Sequence, residues 1–181
     1  MTEVKETSLL VEGTKSYPKA LGALNEFRRL VVLTIRESVV DELGVLSTAM
    51  GVKLTEDELI DRARPDKLSS FDPRNISLGV KIDRIGKAGW GLYFLLWWSK
   101  GEANLWVSIW VRDGKLADSI FTAFNKSPSR TLVALESREV YISRTLVPND
   151  AGQLGVILRE LIREFSELWT KAGGLNTFLK P

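Results

Sequence analysis

The fold is set by two neighbouring segments: WGLYFLLWW at residues 90–98 and LWVSIWVR at residues 105–112. In the second segment the side chains alternate, so aliphatic residues lie on one side of an extended chain and Trp106 and Trp110 on the other. In the first segment both sides are apolar, which is typical of a strand that is covered on both faces. We therefore predict two strands that pair as a hairpin through a turn around Lys100-Gly101.

The rest of the chain supplies helices and further strands around this hairpin. Apolar residues three or four apart, together with capping signals, predict helices from Ser16 to Gly44 or Gly51, over 56–63, over 115–125, and between Pro148-Asn149-Asp150 and Gly173-Gly174. Alternating or continuous apolar segments predict strands over residues 76–83, 90–98, 105–112, 131–136 and 139–147.

The resulting order is α-α-β-β-β-α-β-β-α, which predicts an α+β fold with helices packed against an antiparallel sheet of about five strands. Residues 1–15 are predicted to form a flexible N-terminal arm, and 16–181 a single domain. The order is loosely similar to that of several families, including the homodimeric chaperones of type III secretion effectors. Those chaperones are typically acidic and the chain repeats none of their motifs, so the order identifies no family.

The composition excludes several kinds of chemistry. Cysteine and histidine are both absent from the 181 residues, so there is no disulfide framework, zinc finger, histidine-based triad or thiol nucleophile. No segment approaches the roughly 20 apolar residues of a membrane-spanning helix, and the charged residues 1–13 do not resemble a signal peptide. We therefore expect a cytoplasmic protein that does not bind membranes and uses neither a metal nor a cofactor.

Enzyme motifs are also missing from the expected positions. Pro65-Asp66 precedes the predicted strands, but no Asp/Glu-x-Lys pattern of the metal-dependent nucleases follows it. The glycine-rich residues 86–91 precede a strand, not a helix, and lack the Lys-Ser/Thr of a phosphate-binding loop. Glu136 and Glu139 flank a turn and are interpreted as solvated. We expect a non-enzymatic protein, and the sequence leaves carboxylate-based catalysis open.

The tryptophan side of the hairpin is the candidate binding surface. If the two strands flank their turn symmetrically about Trp98 and Leu105, then Trp97 faces Trp106, Leu95 faces Ser108, and Tyr93 faces Trp110. This pairing predicts an aromatic platform with a gap at the small serine. The candidate binding residues are Tyr93, Trp97, Trp106, Ser108 and Trp110.

Three interpretations of this platform stay open: hydrophobic core, an interface with a second copy or another protein, and a stacking site for flat ligands. The pairing with the strand over 76–83 decides among them. A plain hairpin places Leu78 and Val80 on the tryptophan side, which then becomes core. A bulge at one of the turn glycines instead places charged residues beside Tyr93. The polar rim of the aromatic site then consists of Lys81, Asp83, Arg84 and Lys87.

The charge pattern supports two functional hypotheses. The net charge is only +2, but residues 62–100 carry eight basic and three acidic side chains. Our leading hypothesis is a non-enzymatic interaction module, adaptor-like or chaperone-like, that forms a homodimer and binds a protein through the aromatic sheet face. The alternative is a nucleic-acid or nucleotide binding protein that uses the basic segment 62–100 and the aromatic platform.

Overall fold

A computed structural model describes residues 2–63, 77–84, 89–99, 102–126, 131–147 and 152–178. It confirms the predicted α+β fold with an antiparallel sheet. The α-helices are α1 (Thr2–Asp41), α2 (Leu43–Met50), α3 (Gly114–Asn125), α4 (Leu154–Lys171) and α5 (Gly174–Phe178). The strands are β1 (Leu59–Ala63), β2 (Ser77–Arg84), β3 (Trp90–Ser99), β4 (Glu102–Val111), β5 (Leu132–Glu136) and β6 (Glu139–Leu146).

The six strands are arranged in the order β1-β2-β3-β4-β6-β5, and every neighbouring pair is antiparallel. Helix α3 leads away from β4, and the β5–β6 hairpin then folds back so that β6 lies beside β4. The predicted hairpin of β3 and β4 therefore forms the middle of the sheet, as its apolar composition indicates.

The sheet has more strands than the five predicted because residues 59–63 form a strand and not a helix. The capping box does form, with the Thr55 N–H bonded to Glu58 Oε2 at 3.0 Å, but only a three-residue 3₁₀ helix, Glu56–Glu58, follows it. Leu59 pairs with Ile82 at the edge of the sheet and is buried, whereas its neighbour Ile60 is 47% exposed. Pairing with β2 thus overrides the local helix signal.

Helix α1 begins at Thr2, so the predicted start at Ser16 is wrong. The flexibility of residues 1–15 stays a prediction, since a helical segment can also move. The helix passes through Pro18, and its described side chains first become buried at Val31. The described side chains of residues 12–14 and 16–20 are exposed, and the last part of α1 packs on the sheet.

The helices pack against one side of the sheet, which we call the inner face. It carries the aliphatic side of β4 together with alternate residues of the other strands, such as Val80, Phe94 and Ile142. These side chains share one core with the buried residues of α1 to α4, including Ile35 and Phe165. Helix α4 confirms the predicted amphipathic pattern and ends before Gly173, whose φ of +102° favours glycine.

The opposite side of the sheet we call the outer face. Its residues alternate with those of the inner face along each strand. They are Ile60, Arg62, Ser77, Gly79, Lys81, Asp83, Gly91, Tyr93, Leu95, Trp97, Glu102, Asn104, Trp106, Ser108, Trp110, Leu132, Ala134, Glu136, Glu139, Tyr141, Ser143 and Thr145.

A close approach of two strands restricts one position of the outer face. A Cβ atom added to Gly79 would overlap the backbone carbonyl oxygen of Phe94 and lie 3.0 Å from the Cα of Leu95. Both neighbours are main-chain atoms, which cannot move aside without breaking the β2–β3 pairing. Glycine is therefore required at this point of the sheet.

We predict that Gly79→Ala lowers the free energy of unfolding by about 3 kcal/mol, because the added methyl group forces the paired backbones apart. Chemical denaturation monitored by circular dichroism measures the change. The matched control is Gly22→Ala in α1, where nothing lies within 4 Å of the new Cβ. That change should raise stability by about 0.5 kcal/mol, since glycine weakens a helix interior. Equal stability of the two variants would contradict this account of the sheet.

Candidate functional site

The pairing of β3 with β4 brings the predicted aromatic residues to one face but in a different register. Tyr93 lies opposite Ser108 and Trp97 opposite Asn104, so the predicted facing pairs are wrong by two residues. The strands pair as far as Ser99 and Glu102, which leaves only two residues for the turn. A shift of two preserves the side on which every residue lies, and the aromatic residues therefore still share the outer face.

The pairing of β2 with β3 selects between the two alternatives that the sequence leaves open. Lys81 lies opposite Tyr93, and Asp83 opposite Gly91, as expected for the polar-rimmed site. Leu78 and Val80 consequently belong to the inner face and are buried there. The tryptophan side is thus distinct from the main core.

The exposure of the tryptophans reflects this division. Trp90 and Trp169 belong to the core and are only 2% and 0% exposed. Trp97, Trp106 and Trp110 of the outer face are half-buried. Their rings therefore contact neighbouring side chains and still present surface to solvent.

Three aromatic rings form a row across the middle of the outer face. The ring centroids of Trp97 and Trp106 are 5.0 Å apart, and those of Trp106 and Tyr141 are 4.6 Å apart. Sequence reasoning missed Tyr141, although it had placed this residue on a strand. The missing information was the long-range pairing of β6 with β4, which no local pattern specifies.

Trp106, at the centre of the row, has an unsatisfied polar group. Its indole Nε1 is buried and has no hydrogen-bond partner in the described part of the chain. An unsatisfied buried donor destabilises a folded protein by roughly 1–3 kcal/mol. The core residue Trp169 has an equally buried and unpartnered Nε1, so this property does not by itself mark a binding site.

A polar cluster lies next to the aromatic row. The Ser108 hydroxyl donates a hydrogen bond to Glu139 Oε1, and the Arg62 guanidinium carbon lies 5.3 Å from the centre of the Tyr93 ring. Ser108 itself is buried. Glu139, which we had interpreted as solvated, is therefore part of the outer face and largely shielded from water.

Burial dominates the acid–base properties of this cluster. It raises the pKa of the Glu139 carboxyl, and the hydrogen bond from Ser108 and the charge of Arg62 oppose that shift. Burial likewise raises the pKa of Tyr93, with a further contribution from the carboxylates of Asp83 and Glu139. Glu139 thus holds a proton to a higher pH than an ordinary glutamate does.

The predicted polar rim is only partly assembled. Lys81 and Asp83 lie on the outer face and form an ion pair at 2.8 Å. Arg84 does not belong to the rim: it falls on the inner-face side of β2, binds Glu58 at 2.6 Å, and lies over the ring of Trp90. The alternation of side chains along β2 explains this error. Lys87 lies outside the described residues.

The described part of the outer face is more acidic than the basic segment 62–100 suggests. Its described residues include two cations, Arg62 and Lys81, and four carboxylates, Asp83, Glu102, Glu136 and Glu139. Lys81 is neutralised locally by Asp83. The described surface therefore offers little excess positive charge to a phosphate backbone.

Two further observations concern the residues that the structure describes. No three or more Asp or Glu side chains among them are grouped in a way that would hold a metal ion. None of the helices described combines the length and the apolar character needed to cross a membrane.

Comparisons with known proteins give no match: no family model, no curated protein and no solved structure corresponds to this chain. The outer face itself is therefore the basis for assigning a function.

We predict that Glu139 makes stability depend on pH. Because its pKa is raised in the folded state, this carboxyl contributes stability below its ordinary value of 4.5, and the contribution is lost as the pH rises through the folded pKa. Relative to Glu139→Gln, the wild-type chain should lose unfolding free energy as the pH rises above 4.5 toward neutrality.

Denaturation curves recorded across this pH range measure the effect. Val156→Ser, at an exposed position of α4 and without a titratable group, is the control and should follow the wild-type profile. Parallel profiles for wild type and Glu139→Gln would show that Glu139 titrates like a solvated glutamate.

Proposed function

We propose that this chain is a non-enzymatic interaction module that binds a protein partner through the outer face of its sheet. The observation that carries the proposal is the row of half-buried aromatic rings around Trp106, which contact one another and still present surface to solvent. Tryptophan and tyrosine are enriched at the energetically important centres of protein interfaces.

The charge of the outer face favours a protein partner over a nucleic acid. A nucleic-acid site combines aromatic stacking with a positively charged groove that follows the backbone. Of the described basic residues in segment 62–100, Arg62 and Lys81 lie on the outer face, while Arg84 lies on the other side. The carboxylates of the outer face would repel phosphates.

Affinity capture from the cells in which the chain occurs tests this proposal. We expect one protein to be retained by the wild-type chain and lost with the double variant Tyr93→Ser/Trp110→Ser, which removes two aromatic groups from the outer face. The control Val156→Ser changes an apolar residue of α4 that is 48% exposed, and it should retain the partner.

Nuclease treatment and a salt titration with single-stranded oligonucleotides complete the test. Retention that survives nuclease agrees with a protein partner. Oligonucleotide binding that weakens steeply with salt would instead support the nucleic-acid alternative. Equal retention by the double variant would contradict the proposed use of the outer face.

We further propose that two copies of the chain associate through the side of α1 that carries Tyr17 and Leu24. Tyr17, Leu24 and Val31 are spaced seven residues apart and so lie along one side of the helix. Val31 is buried in the domain, whereas Tyr17 is 58% and Leu24 36% exposed. The row of apolar residues that packs on the sheet at Val31 thus continues along α1 to Leu24 and Tyr17. A second α1 helix can cover these two exposed side chains.

We also propose a cytoplasmic location for the chain.

We predict that Tyr17→Ser/Leu24→Ser converts a dimer into a folded monomer. Both changes remove apolar contact between the two α1 helices of the proposed dimer. Size-exclusion chromatography with light scattering measures the mass. The control Leu33→Ser, also on α1 but 40% exposed on another side, should remain dimeric. A monomeric wild-type chain would rule out this mode of association.

A further inference from the structure

A small cavity opens on the outer face beside the aromatic row. Its volume is about 210 Å³, and its walls include the side chains of Trp97, Trp106 and Tyr141. Cavities for complete small-molecule ligands are larger, roughly 300–1,000 Å³. The size of this cavity corresponds to one side chain or a similarly small group.

The aromatic walls are inclined to one another. The planes of Trp97 and Trp106 meet at 43°, and those of Trp106 and Tyr141 at 59°. All three rings contribute to the wall of the same cavity, and the inclined contacts between them leave the rings unstacked. We call Trp97, Trp106 and Tyr141 the aromatic cage.

The rim of the cavity is acidic. Glu102 lines it, its side chain is exposed, and its carboxylate forms no ion pair with any described residue. The other polar residues in the described lining include Asn104 and Ser143, so the part of the lining that the structure describes contains a carboxylate and neither lysine nor arginine. The Asn104 amide oxygen already accepts a hydrogen bond from Thr145 at 2.8 Å.

We infer that the aromatic cage binds a lysine or arginine side chain of the protein partner. This inference rests on the proposed function and specifies the chemistry that the partner presents. A cation over tryptophan or tyrosine rings is stabilised by the ring quadrupole, and the interaction strengthens when both groups are shielded from water. The carboxylate of Glu102 adds a charge at the mouth of the cavity.

One observation favours a side chain of a protein over a free ammonium compound. The cage continues into the rest of the outer face, where carboxylates outnumber cations among the described residues. A basic segment of polypeptide therefore matches more of the surface than an isolated cation does.

Nuclear magnetic resonance of the ¹⁵N-labelled full chain tests the inference, because the indole N–H signals of Trp97 and Trp106 report directly on the cage. The probes are N-acetyl-lysine methylamide, N-acetyl-arginine methylamide, the neutral analogue N-acetyl-norleucine methylamide, and tetramethylammonium chloride. We expect the lysine or arginine probe to shift both signals saturably. Binding of the norleucine probe should be about fivefold to tenfold weaker, since it lacks the charge.

Three variants separate a cage from a general apolar surface. Glu102→Gln and Tyr141→Leu should each weaken binding of the basic probe severalfold, and the exposed position of Glu102 makes its replacement safe for folding. The control Val156→Ser, at an exposed position of α4 away from the outer face, should leave probe binding unchanged. Equal binding of the norleucine probe, or equal binding by all variants, would overturn the inference. Tetramethylammonium binding at least as tightly as the lysine probe would overturn the assignment to a protein side chain.

The inference and the proposed function fail in different ways. If the partner is lost with Tyr93→Ser/Trp110→Ser but kept with Glu102→Gln and Tyr141→Leu, the outer face binds a protein and the cage inference is wrong. If Tyr93→Ser/Trp110→Ser keeps the partner, the proposed function is wrong, whatever the probes show.

Discussion

The pairing of β3 with its two neighbours determines how the molecule is divided into a core and a surface. Because side chains alternate along a strand, this pairing assigns every residue of the middle of the sheet to one face or the other. It places Val80 and Phe94 beneath the helices and Trp106 on the outer face. A slip of one residue would bury charged Lys81 in the core. Gly79 helps to fix the pairing, because a residue with a side chain at this position would collide with the backbone of β3.

This assignment explains why the outer face is the candidate site. The buried side chains of α1 to α4 join the inner-face residues in one core, and the half-buried aromatic residues of the outer face lie outside it. The outer face nevertheless has features of a contact surface: aromatic rings that touch one another and still present surface to solvent, beside a shielded Glu139.

Features that arise from local periodicity could mostly be predicted from the sequence. The helices α3 and α4, the strands β2 to β6, and the face shared by Tyr93, Trp97, Trp106, Ser108 and Trp110 all agree with residue spacing alone. The helix predicted over residues 56–63 was wrong beyond Glu58, because pairing at the edge of the sheet converts residues 59–63 into a strand. Tyr141, Glu139 and Glu102 were missed as site residues because their roles arise from long-range pairing and from the length of a turn.

The proposed binding requires that the aromatic outer face is open to solvent in the free chain. Hydroxyl-radical footprinting with mass spectrometry is the decisive experiment, because it measures oxidation of each tryptophan separately. We expect Trp97, Trp106 and Trp110 to be oxidised much faster than Trp90 and Trp169, which are 2% and 0% exposed. If Trp97, Trp106 and Trp110 are as protected as Trp169, the outer face is covered within the protein itself and the proposed binding surface does not exist.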